Sequence, residues 1–235
     1  MSRRYFSQEP IAFTEGQSCV MHLDGPETHH LLKVMRLNEG DQLVLFDGSG
    51  DEFDTELLEA PRRGPARLLV RSRQKVDREA PIAVTLGVAL PKGDRQKVLV
   101  EKLTELGVRR LVPLVTEHSV AAPKASGLEK LRRGVIEASK QCGRNVLMQI
   151  EEPIPLASFL TETEAERRLI AHPSGEPLTV GRSFAPVAVA IGPEGGFSDT
   201  EVANATDAGW ESVAIGRSIL RIETAAIACA ALLRG

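Results

Sequence analysis

The sequence predicts an α/β protein in two parts, a strand-rich first third and a larger remainder built on a parallel sheet. Three observations predict it. Four short strand-like runs fall within the first 75 residues, separated by Gly, Pro and Asp turns. From Ile82 onward, short apolar runs alternate with segments of helical period. A polar stretch, residues 74–80, stands between the two patterns ahead of Pro81 and sets the expected domains at 1–75 and 76–235.

In the first part, residues 18–23, 42–46, 53–58 and 67–73 read as strands. His30, Leu31, Val34, Met35 and Leu37 recur near a 3.6-residue period and predict one helix. A small β-barrel with one helix is the expected architecture. In the second part, residues 82–90 read as a strand and residues 95–106 as a helix with Leu99, Leu103 and Leu106 on one face. A strand at 111–115 precedes a helix at 128–142 whose stripe is Leu128, Leu131, Val135 and Cys142. Residues 169–171, 187–191 and 213–215 are wholly apolar, as strands buried on both faces are. Residues 198–208 open with a capping box of Ser198 and Glu201. Residues 222–233 are apolar nearly all round, so this helix should be buried.

Composition excludes several classes. Of 235 residues, 42% are hydrophobic and 26% charged, an ordinary globular balance. Aromatic residues are only 4%, which argues against broad base stacking as the grip on single-stranded nucleic acid. The net charge of −3 draws the protein onto neither nucleic acid nor membrane, so any such binding needs local patches. One patch is basic, Arg62 to Arg78, and suits either a solvated face or phosphate. Cys19, Cys142 and Cys229 are far apart without metal spacing, and neither His29-His30 nor His118 supplies it. Buried reduced thiols in a cytoplasmic protein, and no metal, are expected. The first ten residues lack the apolar run of a signal peptide. The longest apolar stretch, residues 225–233, is far below the roughly 20 residues that span a bilayer, so no membrane partner is expected.

Ligands of parallel sheets collect at the carboxyl ends of strands. Three such ends have unusual sequences. The first is Ala171-His172-Pro173-Ser174-Gly175-Glu176. The second, Ile191-Gly192-Pro193-Glu194-Gly195-Gly196-Phe197-Ser198, lets backbone approach a ligand closely and leads into a helix N-terminus. Glu194 would repel a phosphate, and neither phosphate-binding glycine fingerprint is present, so the loop suits a zwitterionic or cationic ligand, an acid that pairs with an arginine, or a plain tight turn. The third, residues 215–225, carries Arg221 and Glu223 beside a strongly apolar helix, where charge must be paired or meet solvent or ligand. Glu223 and Thr224 also suit a helix N-terminus as such.

Taken in order, these segments resemble the bacterial 16S rRNA uridine-N3 methyltransferases, the ribosomal RNA small subunit methyltransferase E family of the knotted SPOUT class. The second loop is followed by Ile219-Leu220-Arg221-Ile222-Glu223-Thr224-Ala225 as in that family's signature. Upstream, His29-His30-Leu31-Leu32-Lys33-Val34-Met35-Arg36 with Gly40-Asp41 matches its N-terminal domain. Pro91-Lys92-Gly93-Asp94, the run Lys102-Leu103-Thr104-Glu105-Leu106-Gly107-Val108, and Glu137-Ala138 with Gln141 and Arg144 match its catalytic domain. The chain departs from the pattern at His118, where the family usually has arginine, and after Arg144, where it usually has proline.

The resemblance implies a C-terminal domain with a trefoil knot, an N-terminal PUA-like β-barrel that binds RNA, and a homodimer. It implies transfer of a methyl from S-adenosyl-L-methionine to N3 of one uridine (uridine 1498 in the usual rRNA numbering) of 16S rRNA within the small ribosomal subunit. On it, the cofactor falls to His172, Pro173, Gly175, Gly192, Pro193, Glu194, Gly195, Gly196, Ile215, Gly216, Ser218, Ile219, Leu220 and Thr224. Arg221 is the candidate for stabilising a uracil anion or orienting the base, with Glu194 and Glu223 as proton acceptors or as partners of Arg221. Arg3, Arg4, Lys33, Arg36, Lys92, Arg95, Lys97 and Arg144 are the candidate phosphate contacts. Three competing readings are a SPOUT enzyme acting on a ribose hydroxyl or on tRNA, a nicotinamide-dependent oxidoreductase, and a non-catalytic PUA-type RNA-binding module. The absent dinucleotide fingerprint opposes the second, and the intact glycine loops with Arg221 and Glu223 oppose the third.

Overall fold

The structure, a computed structural model, describes residues 3–119, 125–179 and 185–234. They fall into two units, Met1–Glu79 with Ser139–Leu147, and Ala80–Ala138 with Met148–Gly235.

The first unit holds β1 (Arg4–Phe6), β2 (Cys19–Leu23), α1 (Gly25–His29), β3 (Gln42–Phe46), β4 (Asp51–Glu59) and β5 (Ala66–Lys75). The strands make one sheet in the order β1-β3-β4-β5-β2, antiparallel except that β1 runs parallel to β3. Period-two burial along β4 and β5 turns Phe53, Thr55 and Leu57, with Ala66, Leu68 and Val70, to the inside. There they meet Tyr5, Leu31, Leu43 and Leu45. β1 was invisible to pattern reading because three residues carry no periodicity.

The helix expected at residues 30–37 takes a different form. Asp24 caps α1 and Pro26 stands in its first turn, so the helix starts five residues earlier than its apolar pattern suggests. It passes into a π turn over His30–Val34. The wider turn leaves Leu31 and Leu37 in the core but swings Val34 out to 58% exposure. Arg36 ends it in the left-handed region (φ 53°), alone in this among the described non-glycine residues.

Residues 139–147 complete the first unit through buried ion pairs. Arg4, 8% exposed, donates to Glu52 Oε1 and Asn145 Oδ1, both at 2.5 Å. Arg144, 3% exposed, grips Glu79 from Nε at 2.8 Å and Nη2 at 2.6 Å. Lys140 pairs with Glu27 at 2.9 Å. Cations this deep must be compensated, and these are. This corrects the expectation that Arg4 and Arg144 meet RNA phosphate, because their charges are taken up inside the unit.

The second unit holds β6 (Val84–Val88), α2 (Arg95–Glu105), β7 (Arg110–Val115), most of α3 (Ala125–Cys142), β8 (Gln149–Ile150), β9 (Ile154–Pro155), α4 (Leu156–Glu162), β10 (Arg167–Pro177), β11 (Val187–Ile191), α5 (Asp199–Asp207), β12 (Glu211–Ala214) and α6 (Ile222–Leu233). Its sheet is parallel, in the order β12-β10-β11-β6-β7-β8. β11 is buried at every position, as its unbroken apolar run requires. Gly87 of β6 lies under the Phe159 ring, which would stand 2.6 Å from a Cβ there. Phe159 in turn meets Trp210, whose indole N–H donates to the Leu160 carbonyl. The capping box of α5 forms as its sequence predicts.

α6 is buried along Ile222, Ala225, Ala226, Cys229, Ala230 and Leu233. Burial pushes the Cys229 thiol up to about 12, which keeps it protonated at neutral pH. Cys19 and Cys142 are only half-buried, so the expectation of buried thiols holds for Cys229 alone. Among the described residues no helix is long and apolar enough to cross a membrane, and no cluster of three His, Cys, Asp or Glu could hold a metal.

Candidate active site

Three strand ends build one concavity. β10 does not stop at Ala171, where its apolar run ends. Ala171 and Glu176 both stand opposite Val213 of β12, so residues 172–175 loop out between them as a wide bulge. Gly175 closes the loop. A Cβ there would lie 2.5 Å from the Val213 nitrogen and 2.6 Å from the Ser212 carbonyl carbon. Within the loop, His172 Nδ1 and Ser174 Oγ are 2.7 Å apart.

β11 delivers the glycine loop. The Gly196 amide donates to the Pro193 carbonyl at 2.8 Å, with Gly196 at a φ of +73°. The loop after β7 braces it. His118 Nδ1 lies 3.1 Å from the Gly196 carbonyl, which can only accept, so Nδ1 carries the proton of this bond. The Glu117 amide donates to Glu201, whose other oxygen closes the α5 capping box. The sequence had left His118 without a place, and its contact with the loop supplies one.

β12 leads into residues 215–220, and Ile219 is 88% exposed. Arg221 follows as the N-cap of α6, exposed and with no side-chain hydrogen bond or ion pair among the described residues. Glu223, one residue into α6, is 9% exposed. Its Oε2 lies 3.7 Å from Arg95 Nη1, while Arg95 Nη2 donates to Glu194 Oε1 at 3.0 Å.

The three ends enclose a cavity of about 340 Å³. This lies within the range of small-molecule sites, roughly 300–1,000 Å³. Its wall includes His172, Pro173, Gly192, Pro193, Glu194, Gly195, Gly196, Ile215, Gly216, Ser218, Ile219 and Leu220, all singled out from sequence. Gly175 and Thr224 are not in the wall. Gly175 serves the return of β10 to β12, and Thr224 is exposed on α6. Of the three candidate catalytic side chains only Glu194 lines the cavity, and both carboxylates pair with Arg95 rather than Arg221. Arg217, which the sequence reading did not single out, also lines it, as do Phe197, Ile222 and Ala225. Only its place inside the segment 215–220 pointed to Arg217.

The candidate phosphate contacts separate by exposure. Lys33, Arg36, Lys92 and Lys97 are exposed and in no ion pair among the described residues, and Arg3 is exposed with an ion pair to Asp41 at 3.1 Å. Arg95, part-exposed, is engaged by Glu194 and Glu223.

Residues 78–234 match a family described as RNA methyltransferase domain, and residues 23–65 match one described as RNA methyltransferase PUA domain. The ribosomal RNA small subunit methyltransferase E of Synechocystis is 32% identical over 207 residues, covering 85% of this chain and 67% of that protein. A methyltransferase from Legionella pneumophila, solved with bound SAM, superposes with a TM-score of 0.90 at 30% identity, over 100% of this chain and 97% of that one. The ribosomal RNA small subunit methyltransferase E of Neisseria gonorrhoeae, bound to S-adenosyl methionine, gives 0.89 at 28% identity, over 98% and 96%.

Proposed function

The chain belongs to the ribosomal RNA small subunit methyltransferase E family, and we propose that it is a 16S rRNA (uracil-N3)-methyltransferase acting on one uridine of the small ribosomal subunit with S-adenosylmethionine. The observation that carries this reading is the cavity where three strand ends meet beside Arg221, exposed and without an ion pair among the described residues.

The wall suits the cofactor. Backbone amides and carbonyls of residues 192–196 and 215–220, flanked by Ile215 and Leu220, offer an adenine site without a phosphate cradle. Glu194 offers a negative charge to the cationic part and Arg217 a positive one to the carboxylate. When bound, S-adenosylmethionine supplies an electrophilic methyl group. Gly216 lines the cavity, and a Cβ there would meet no atom within 4 Å, so this glycine leaves space rather than relieving a clash. Gly216→Val is therefore expected to weaken S-adenosylmethionine binding about tenfold or more, about 1.4 kcal/mol, with the melting temperature unchanged. Titration calorimetry beside a thermal melt checks both halves.

Uridine N3 carries a proton at neutral pH, and it must leave before or during attack. Arg221 stabilises the resulting uracil anion and orients the base. Of the two carboxylates, Glu194 is the one in reach of the cavity as an acceptor.

The RNA is held at phosphates by Arg3, Lys33, Arg36, Lys92 and Lys97. Arg36 gives this a test with two opposite signs. Its left-handed backbone costs about 1 kcal/mol in any residue but glycine. Arg36→Gly is expected to raise the melting temperature by about 2–4 °C. The same variant should bind small subunits more weakly, with a salt slope smaller by about one. A rise in melting temperature without loss of binding would make Arg36 a structural accident.

Residues 1–75, completed by residues 76–79 and 139–147, form the PUA-like barrel that binds RNA, and the rest of 76–235 forms the trefoil-knotted SPOUT domain. The homodimer assembles through the second domain, supported by the exposed apolar side chains Val98, Ile219 and Leu232. Sedimentation at micromolar concentration tests it. A cytoplasmic location follows from the ribosomal substrate.

The deciding experiment incubates small subunits from cells lacking the modification with the protein and S-adenosylmethionine. Digested rRNA is then analysed for 3-methyluridine by mass spectrometry. One modified site supports the whole reading. Cofactor binding without product points to another RNA or another atom. Neither binding nor product favours a non-catalytic module.

A further inference from the structure

Two carboxylates of the second unit converge on one guanidinium. Arg95 opens α2 directly after its N-cap, Asp94. It donates to Glu194 at 3.0 Å and stands 3.7 Å from Glu223 Oε2. Glu194 rides on the glycine loop and lines the cavity, whereas Glu223 lies in the first turn of α6 two residues beyond Arg221. Glu223 Oε2 is buried without a hydrogen-bond partner. A buried carboxylate is unfavourable unless a cation compensates it. The N-terminus of α6 supplies part of that compensation. Arg95 supplies the rest as an ion pair, since 3.7 Å is too long for a hydrogen bond.

We propose that Arg95 is a positioning residue for methyl transfer. Through Glu194 it ties the glycine loop to the start of α6, which it holds through Glu223, and so it sets the cavity wall against Arg221. The inference rests on the reading of the cavity as the S-adenosylmethionine site. Such a tie restricts a backbone that its glycines leave with more conformational freedom than other residues would. α6 is a suitable anchor because its apolar face is buried against the rest of the unit. The Glu194 carboxylate, held by Arg95 at the cavity wall, faces the side on which a sulfonium cation would find a complementary charge. Arg95 itself does not line the cavity, so it acts through its partners.

The test compares the wild-type chain with Arg95→Ala, Arg95→Lys, Glu223→Gln and the double variant Arg95→Ala/Glu223→Gln. Four quantities are read: the Kd for S-adenosylmethionine, kcat on small subunits, the salt dependence of subunit binding, and the melting temperature. Arg95→Ala should weaken the cofactor about tenfold and lower kcat about a hundredfold, leaving the salt slope unchanged. Arg95→Lys should recover part of this, because an ammonium lacks the planar fork that serves two carboxylates at once. The double variant separates a positioning role from simple unfolding, because it removes the buried charge that Arg95 compensates. A double variant that regains the melting temperature but not kcat supports positioning. One that regains both reduces Arg95 to a neutralising partner and overturns the proposal. Arg95→Ala that loses only subunit affinity and salt slope also overturns it, as a phosphate contact. A wild-type chain that binds no S-adenosylmethionine brings down the proposed function and this role with it, whereas wild-type binding that Arg95→Ala leaves intact removes this role alone.

Discussion

Arg221→Ala is expected to lower the rate of uridine methylation by about 10²–10³-fold while the protein stays folded and still binds S-adenosylmethionine. The expectation follows from where Arg221 stands. It caps α6 from outside the helix, is exposed, and has no ion pair among the described residues. Removing it leaves no buried carboxylate without a partner, because Glu223 and Glu194 are held by Arg95. Stability should therefore change little, as for most surface substitutions. The loss should fall on kcat, since an anion at uridine N3 exists only as the reaction proceeds. Arg221→Lys should restore only part of the rate, for an ammonium keeps the charge but not the two-pronged geometry that orients a base. Single-turnover methylation with saturating cofactor, beside calorimetry for cofactor binding, checks both statements. A near-normal rate in Arg221→Ala would remove Arg221 from the chemistry and direct attention to Arg217.

Gly175→Ala should be the most damaging small substitution near the cavity. The added methyl would sit 2.5 Å from the Val213 nitrogen, 2.6 Å from the Ser212 carbonyl carbon and 2.7 Å from its oxygen. All three are backbone atoms of β12 and cannot rotate aside. Either the bulge opens or β12, a four-residue strand at the end of the sheet, moves away. A cost of about 3 kcal/mol is expected, in the upper range for overpacking. That corresponds to a melting temperature lower by roughly 6–12 °C for a chain of this size. Cofactor affinity should fall as well, since His172 and Pro173 reach the cavity from the same bulge. Gly216→Val gives the complementary pattern, with affinity lost and stability kept. A Gly175→Ala protein with normal melting and normal cofactor binding would show that residues 172–175 do not return to β12 as described.

Much of the fold was legible because it depends on near neighbours. The apolar run of β11, the Ser198–Glu201 capping box and the apolar α6 each announce themselves within a dozen residues, and each is present. The three strand ends were legible for the same reason, and most of their residues line one cavity. β1 and α4 were not, since three and seven residues hold too little pattern. Nor was the π turn at His30–Val34, because its apolar spacing also fits a helix and only burial of Leu31 beside exposure of Val34 tells them apart. The bulge of β10 escaped because the pairing of Ala171 and Glu176 with one residue of β12 is a fact about two strands.

Most of the elements, the residues at the strand ends, and the places where charge enters an apolar context can be read from the chain alone. Those properties follow from backbone preference and hydrophobic period, which act over a few residues. The partners of the charged groups emerge only in three dimensions. Arg4, Arg144 and Arg95 look alike in sequence as candidate phosphate contacts, yet Glu52, Glu79 and the pair Glu194–Glu223 take up their charges. Arg221, by contrast, is exposed and has no ion pair among the described residues. Electrostatic pairing depends on distance through space and on burial, and both arise when residues far apart in the chain are brought together by packing.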